Sequence, residues 1–152
     1  MVDEKTNINE PEFWETRYRS EQAHWDLGTS TPVFDELLEK KLIGDSGKIA
    51  ILGCGKGHDA LLFAKYDYLV TAVDFAPSAL ASLRKQAKQM NLFVETLQID
   101  IFNLPGKLLH KFDYLLEYVT YCAIDPKRRK EYIDNISRLL KPGGILIMGE
   151  FD

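Results

Sequence analysis

Ile49-Ala50-Ile51-Leu52-Gly53-Cys54-Gly55-Lys56-Gly57 is the stretch on which the fold turns. Four apolar residues in a row, two of them β-branched, suit a strand buried on both faces, as in a parallel sheet covered by helices. Small residues then let the backbone turn tightly, and Gly57 to Tyr66 reads as a helix with Leu61, Leu62 and Phe63 inward. The unit recurs downstream. Tyr68 to Val73 is a second strand, and Pro77 to Met90 a helix with Leu80, Leu83, Ala87 and Met90 spaced by three, four and three. Phe93 to Ile99 is a third strand and Phe112 to Val119 a fourth. Asp125-Pro126 then opens a helix that places Tyr132, Ile133, Ile136, Leu139 and Leu140 on one face. Pro142-Gly143-Gly144 stops that helix, and Ile145 to Met148 is a fifth strand.

Strands alternating with helices require right-handed crossovers and a parallel sheet. The expectation is an α/β, Rossmann-like three-layer sandwich with strand order 3-2-1-4-5. Ligands bind such sheets at the switch point, here beside strand 1. Upstream, Pro11 to about Glu21 reads as a helix with Phe13, Trp14 and Tyr18 as its apolar side. Gly28 to Thr31 leads to Pro32 and a short helix carrying Val33, Phe34, Leu37 and Leu38; Gly44 to Gly47 is a turn. The whole chain, 1–152, is expected to be one domain, with 1–44 a helical cap and 45–152 the core.

Hydrophobic residues at 45% and charged residues at 28% are ordinary for a globular protein. A net charge of −4 argues against a broad nucleic-acid face, which needs clustered cations. The one basic run, Lys127-Arg128-Arg129-Lys130, reads as the solvated start of a helix. Cys54 and Cys122 form no disulfide framework, Cys122 reads as a core residue, and the three histidines stand singly, so no metal site is expected. Met1 to Glu10 is polar, without a signal-peptide apolar core, so a cytoplasmic protein without a membrane partner is expected.

The chemistry is expected at the C-terminal ends of the strands. The Gly53, Gly55 and Gly57 turn allows close approach to a ligand, and the helix behind it offers N–H groups. The plainer alternative is a tight strand-to-helix connection. Asp74 ends the second strand, 21 residues after Gly53, where a carboxylate can accept both hydroxyls of a ribose; a helix cap before Pro77 is the alternative. Phe75 can cover an adenine face. Asp100, after the third strand, can accept from an adenine amino group while the Ile101 N–H faces a ring nitrogen. The glycine pattern is G-x-G-x-G, not the G-x-G-x-x-G of dinucleotide sites. S-adenosyl-L-methionine, an adenosine with an amino-acid end and no pyrophosphate, suits these features better than NAD.

Ile51 to Asp59, followed by Val73-Asp74-Phe75, resembles the cofactor motifs of class I S-adenosylmethionine-dependent methyltransferases. More narrowly, the chain resembles the thiopurine S-methyltransferase superfamily and its halide/thiol branch. That likeness is carried by Phe13-Trp14-Glu15, Tyr18, Trp25-Asp26-Leu27-Gly28 and the apolar Ile51. It is carried also by Phe112-Asp113-Tyr114, Glu117-Tyr118 and Tyr121 to Pro126. The resemblance implies that Trp14, Tyr18, Trp25 and Tyr118 contact the cofactor, whose product form is S-adenosyl-L-homocysteine. Thiopurine-type members tend to carry Arg where Tyr118 stands, so Tyr118 is closer to the halide/thiol branch.

The implied reaction is in-line methyl transfer to a small soft acceptor: a thiol, hydrosulfide, halide or thiopurine-like molecule. No dedicated general base is required; if a thiol must lose a proton, Glu117, Tyr118 and Tyr121 are the candidate partners. The chain stops at Phe151-Asp152, just after strand 5, so the family's C-terminal hairpin is expected to be absent. Self-association through the strand 5 edge follows as an expectation. A binding module without turnover and an NAD-dependent oxidoreductase domain remain open alternatives.

Overall fold

The computed structural model describes residues 31–53, 57–118 and 120–149, without the side chains of 118, 122 and 123. The helix expected over Pro11 to Glu21 lies outside the described residues. The first described helix, α1 (Pro32–Glu39), has Pro32 at its first position and buries Phe34 and Leu38.

Five strands follow: β1 (Lys48–Leu52), β2 (Leu69–Asp74), β3 (Val94–Gln98), β4 (Phe112–Tyr118) and β5 (Leu140–Gly149). They form one sheet in the order β3-β2-β1-β4-β5, and every neighbouring pair is parallel. Between them run α2 (His58–Lys65), α3 (Pro77–Gln89), α4 (Thr120–Ala123) and α5 (Arg129–Ser137). The parallel order needs crossovers. Helices α2, α3 and α5 stand where the sequence places helices, and the single-turn α4 was not expected. β3 leads to β4 through two 3-10 turns, Ile101–Asn103 and Gly106–Leu108.

The two-residue period of the strands divides the core into two layers. Ile49 and Ile51 face one side, packed with Phe34, Leu38, Leu61, Phe63 and Leu83 from α1, α2 and α3. Ala50 and Leu52 face the other, against Leu115, Tyr132, Ile136 and Leu139. This is why β1 reads as an unbroken apolar run: neither face meets water.

Strands 1 to 4 fall within a residue of the sequence reading, and the boundary between the last helix and β5 differs from it by more. The last helix ends at Ser137, Leu139 is buried beyond it, and Leu140 already belongs to β5. Phe112 pairs with Leu140, and Tyr114 pairs with Ile145. Two steps on β4 thus span five on β5, and Lys141 to Gly144 are looped out as an irregularity. Pro142 has no N–H to give to a ladder, and Gly143 adopts φ +81°. Pro142-Gly143-Gly144 therefore interrupts a strand rather than ending a helix.

Candidate functional site

Parallel register places the candidate residues in one row. Leu52 pairs with Val73 on one side and with Glu117 on the other. One residue further along each chain come Gly53, which opens the turn after β1, Asp74, which ends β2, and Tyr118, which ends β4. Asp74 in turn pairs with Gln98, two residues before Asp100. The chain reverses its winding direction at β1, so this row lines the crevice at the switch point.

The glycines are fixed by packing as well as by backbone. Gly53 has φ +59°, and a Cβ there would come within 3.1 Å of Thr120 Cγ2 and closer still to its hydroxyl. Gly57 has φ +84°, and a Cβ would lie 2.8 Å from Leu83 Cγ. Both positions exclude a side chain, and Gly57, the N-cap residue of α2, has none with which to cap the helix. Gly55 lies outside the described residues. Thr120, which the sequence reading did not single out, closes the turn from the β4 side, donating to Leu52 O at 3.4 Å.

Asp74 is 7% exposed, and its Oδ1 accepts from the Ala76 N–H at 2.9 Å. That bond shapes the turn before α3 and leaves the carboxylate at the strand end; Phe75 beside it is half-buried. Asp100 is exposed and accepts from the Phe102 N–H at 2.8 Å, capping the short 3-10 turn Ile101–Asn103. Ile101 is buried.

On the β4 side, Glu117 is fully buried. Its Oε1 accepts from the Tyr121 N–H and from the Tyr132 hydroxyl, the latter at 3.4 Å. Burial, followed by the adjacent Glu117 carboxylate, pushes the Tyr132 phenol well above its ordinary value, so it stays a neutral donor. Tyr121 is half-buried, its carbonyl accepts from Arg129 Nε at 3.2 Å, and the guanidinium lies 5.0 Å from its ring centroid. Tyr118 is placed by its backbone at the end of β4; its side chain, and all of Trp14, Tyr18 and Trp25, lie outside the described residues.

A further contact was not foreseen. Asp59, in the first turn of α2, accepts from Thr31 N at 2.6 Å and from Thr31 Oγ1 at 2.8 Å. Burial raises the Asp59 carboxyl above its ordinary value, and it outweighs those two hydrogen bonds. The residue before α1 is thereby tied to the helix that follows the glycine turn.

Residues 9–150 match the family model described as Thiopurine S-methyltransferase (TPMT). The chain belongs to that family. It is 31% identical over 137 residues to thiocyanate methyltransferase 1 of Arabidopsis thaliana, covering 88% of this chain and 59% of that protein. It is 32% identical over 136 residues to probable thiol methyltransferase 2 of the same plant, with the same coverage. Among solved structures, one from work on conversion of a disulfide bond into a thioacetal group during echinomycin biosynthesis superposes with a TM-score of 0.83. It is 27% identical, over 91% of this chain and 59% of that one. The chain thus spans about 59% of the length of these relatives. Among the described residues no helix is long and apolar enough to cross a membrane.

Proposed function

We propose that this chain is an S-adenosylmethionine-dependent methyltransferase acting on a small soft acceptor: a thiol, hydrosulfide, halide or thiopurine-like molecule. One observation supports the assignment: in a chain of the TPMT family, Asp74 ends β2, the neighbour of the strand that leads into the glycine turn at Gly53. Glycines that leave no room for a side chain at 53 and 57, and two carboxylates at strand ends, fit an adenosine that carries an amino-acid end. The named activities of the plant relatives favour sulfur-centred acceptors.

S-adenosylmethionine, when bound, supplies a methyl group on a sulfonium, open to in-line displacement by a lone pair. Asp74 holds the ribose hydroxyls, Asp100 and the Ile101 N–H read the adenine edge, and Phe75 covers the ring. Gly53, Gly55 and Gly57 let the backbone come close. Trp14, Tyr18 and Trp25 supply aromatic faces suited to a sulfonium cation. Tyr118, at the end of β4, borders both cofactor and acceptor.

Thiolates, hydrosulfide and halides are already nucleophilic, so positioning and exclusion of water carry the rate. Glu117, sealed in the core and holding the Tyr121 N–H, is assigned to fixing the α4 turn; Tyr121, which that turn displays, is the better-placed partner for a thiol. The test is direct. The purified chain is incubated with S-adenosylmethionine and, separately, a thiol, hydrosulfide, iodide and a thiopurine. S-adenosylhomocysteine and methylated product are then measured by mass spectrometry. Product with a sulfur acceptor supports the assignment. Binding of NAD in preference to S-adenosylhomocysteine would overturn it.

A further inference from the structure

The basic run Lys127 to Lys130 is only partly a solvated face. Lys127 and Lys130 are exposed, but Arg128 and Arg129 are half-buried. The Arg128 guanidinium carbon sits 3.6 Å from the centroid of the Phe102 ring, well within the range of cation–π attraction. Phe102 belongs to the 3-10 turn after β3, and its N–H is the donor that Asp100 captures. The turn is held a second time by Asn135, whose Nδ2 donates to Ile101 O at 3.3 Å. It is held a third time by the Tyr132 ring, 6.3 Å from that of Phe102.

All three tethers come from α5 or its N-cap, and all land on residues 101 and 102. Arg128 pairs with Glu131 in the first turn of α5 at 3.5 Å, which offsets its position at the positive end of the helix dipole. Its guanidinium also reaches across the fold, to the turn that begins at the candidate adenine edge.

We propose that Arg128 and Asn135 are positioning residues for base recognition, holding residues 100–102 so that the Asp100 carboxylate and the Ile101 N–H meet the adenine edge together. This rests on the assignment of Asp100 and Ile101 to adenine made above. The two arginines divide the work: Arg128 braces the base side, and Arg129, through Tyr121, braces the β4 side.

The test uses the full 152-residue chain and needs no turnover. Calorimetry gives Kd for S-adenosylhomocysteine and for S-inosyl-L-homocysteine, in which a carbonyl replaces the exocyclic amino group. The parent is expected to prefer the adenosyl ligand by about tenfold or more, the worth of one charge-assisted hydrogen bond. Arg128→Met and Asn135→Ala should lower that preference to roughly threefold or less. Arg128→Lys, which keeps the charge but not the plane, should restore it only in part.

A merely structural brace would weaken both ligands equally and leave the ratio alone. An unchanged ratio in folded Arg128→Met and Asn135→Ala overturns the proposal, provided Asp100→Ala abolishes it. If Asp100→Ala also leaves the ratio intact, or the parent shows no preference, the adenine assignment itself is wrong and the proposal goes with it. Should Arg128→Met not fold, Phe102→Leu and Asn135→Ala decide.

Discussion

Replacing Asp74 by Asn separates its two jobs. In the folded protein the Asp74 Oδ1 accepts from the Ala76 N–H at 2.9 Å, and an amide oxygen can do the same. The turn before α3 therefore keeps its acceptor in the variant. What the amide cannot do is accept from two ribose hydroxyls at once: one acceptor becomes an NH2 donor and the charge is lost. At 7% exposure little water is present to compensate. A hydrogen bond to a charged group is worth about 1.5–3 kcal/mol, and a decade in affinity is about 1.4 kcal/mol. Asp74→Asn should thus weaken S-adenosylhomocysteine binding by roughly tenfold to a hundredfold. Titration calorimetry reads the affinity, and urea unfolding of the same sample checks that the midpoint has barely moved. An Asn variant that is folded and binds as tightly as the parent would refute the ribose assignment and leave Asp74 as a turn residue.

Gly53→Ala should lower stability by about 2 kcal/mol, from the left-handed backbone and the displaced Thr120, and should weaken cofactor binding as well. Adding Thr120→Ala should recover part of the loss, and strict additivity in urea unfolding would show that this contact is not the cause. Glu117→Ala should cost about 2–5 kcal/mol by leaving the Tyr121 N–H and the Tyr132 hydroxyl without their acceptor, and Glu117→Gln much less; equal losses would contradict that role. The Asp59 carboxyl is raised by burial, so its neutral form is favoured in the fold. Its contribution is complete below the ordinary carboxylate value and is lost as pH rises through the raised one. Asp59→Asn should therefore gain stability relative to the parent as pH rises from about 4, the ordinary carboxylate value, and a difference that stays flat with pH would count against it. Ile145 and Leu146 are 47% and 36% exposed on β5, which pairs only with β4 among the described residues, so we propose association along this edge. Light scattering should show dimers that Leu146→Lys disperses; a monomeric parent would dismiss the idea.

What was legible in the sequence is what period and composition control. Ile49 to Leu52 announces a strand covered on both faces because each of its side chains has a helix to meet, and the strand order follows from the alternation of elements. Asp74 and Asp100 were singled out by their distance from strand ends, and the structure puts Asp74 at the end of β2, paired with Gln98 two residues before Asp100. Contacts between residues distant in the chain were not legible. Nothing local says that Asp59 turns to Thr31, that Thr120 abuts Gly53, or that Glu117 is sealed under Tyr132. The basic run was misread for the same reason: a guanidinium above a ring 26 residues away looks, in sequence, like any solvated charge. Pro142-Gly143-Gly144 misled differently, since the residues that stop a helix also break a ladder.

On the proposed function, the arrangement around α5 bears on how methyl transfer to a soft nucleophile proceeds without a base. If positioning carries the rate, the groups that matter most are those that fix the two walls of the crevice, and here both walls are fixed from one helix. Tyr132 lies at the junction, its ring against Phe102 on the base side and against Tyr121 on the β4 side, its hydroxyl on Glu117. A carboxylate held wholly in the core is expensive unless its donors are exact in place, so Glu117 ties the geometry of the α4 turn to the packing of α5. Loss of packing in this layer therefore reaches the Ile101–Asn103 turn and the α4 turn together. Tyr132→Phe isolates the point, because it keeps the ring contacts and removes one donor to Glu117. It should lower stability by about 1–3 kcal/mol while leaving the adenosyl-over-inosyl preference unchanged, since that preference depends on the ring contacts and on Arg128 and Asn135. If the preference falls with the hydroxyl alone, the two walls are coupled through Glu117 rather than through ring packing.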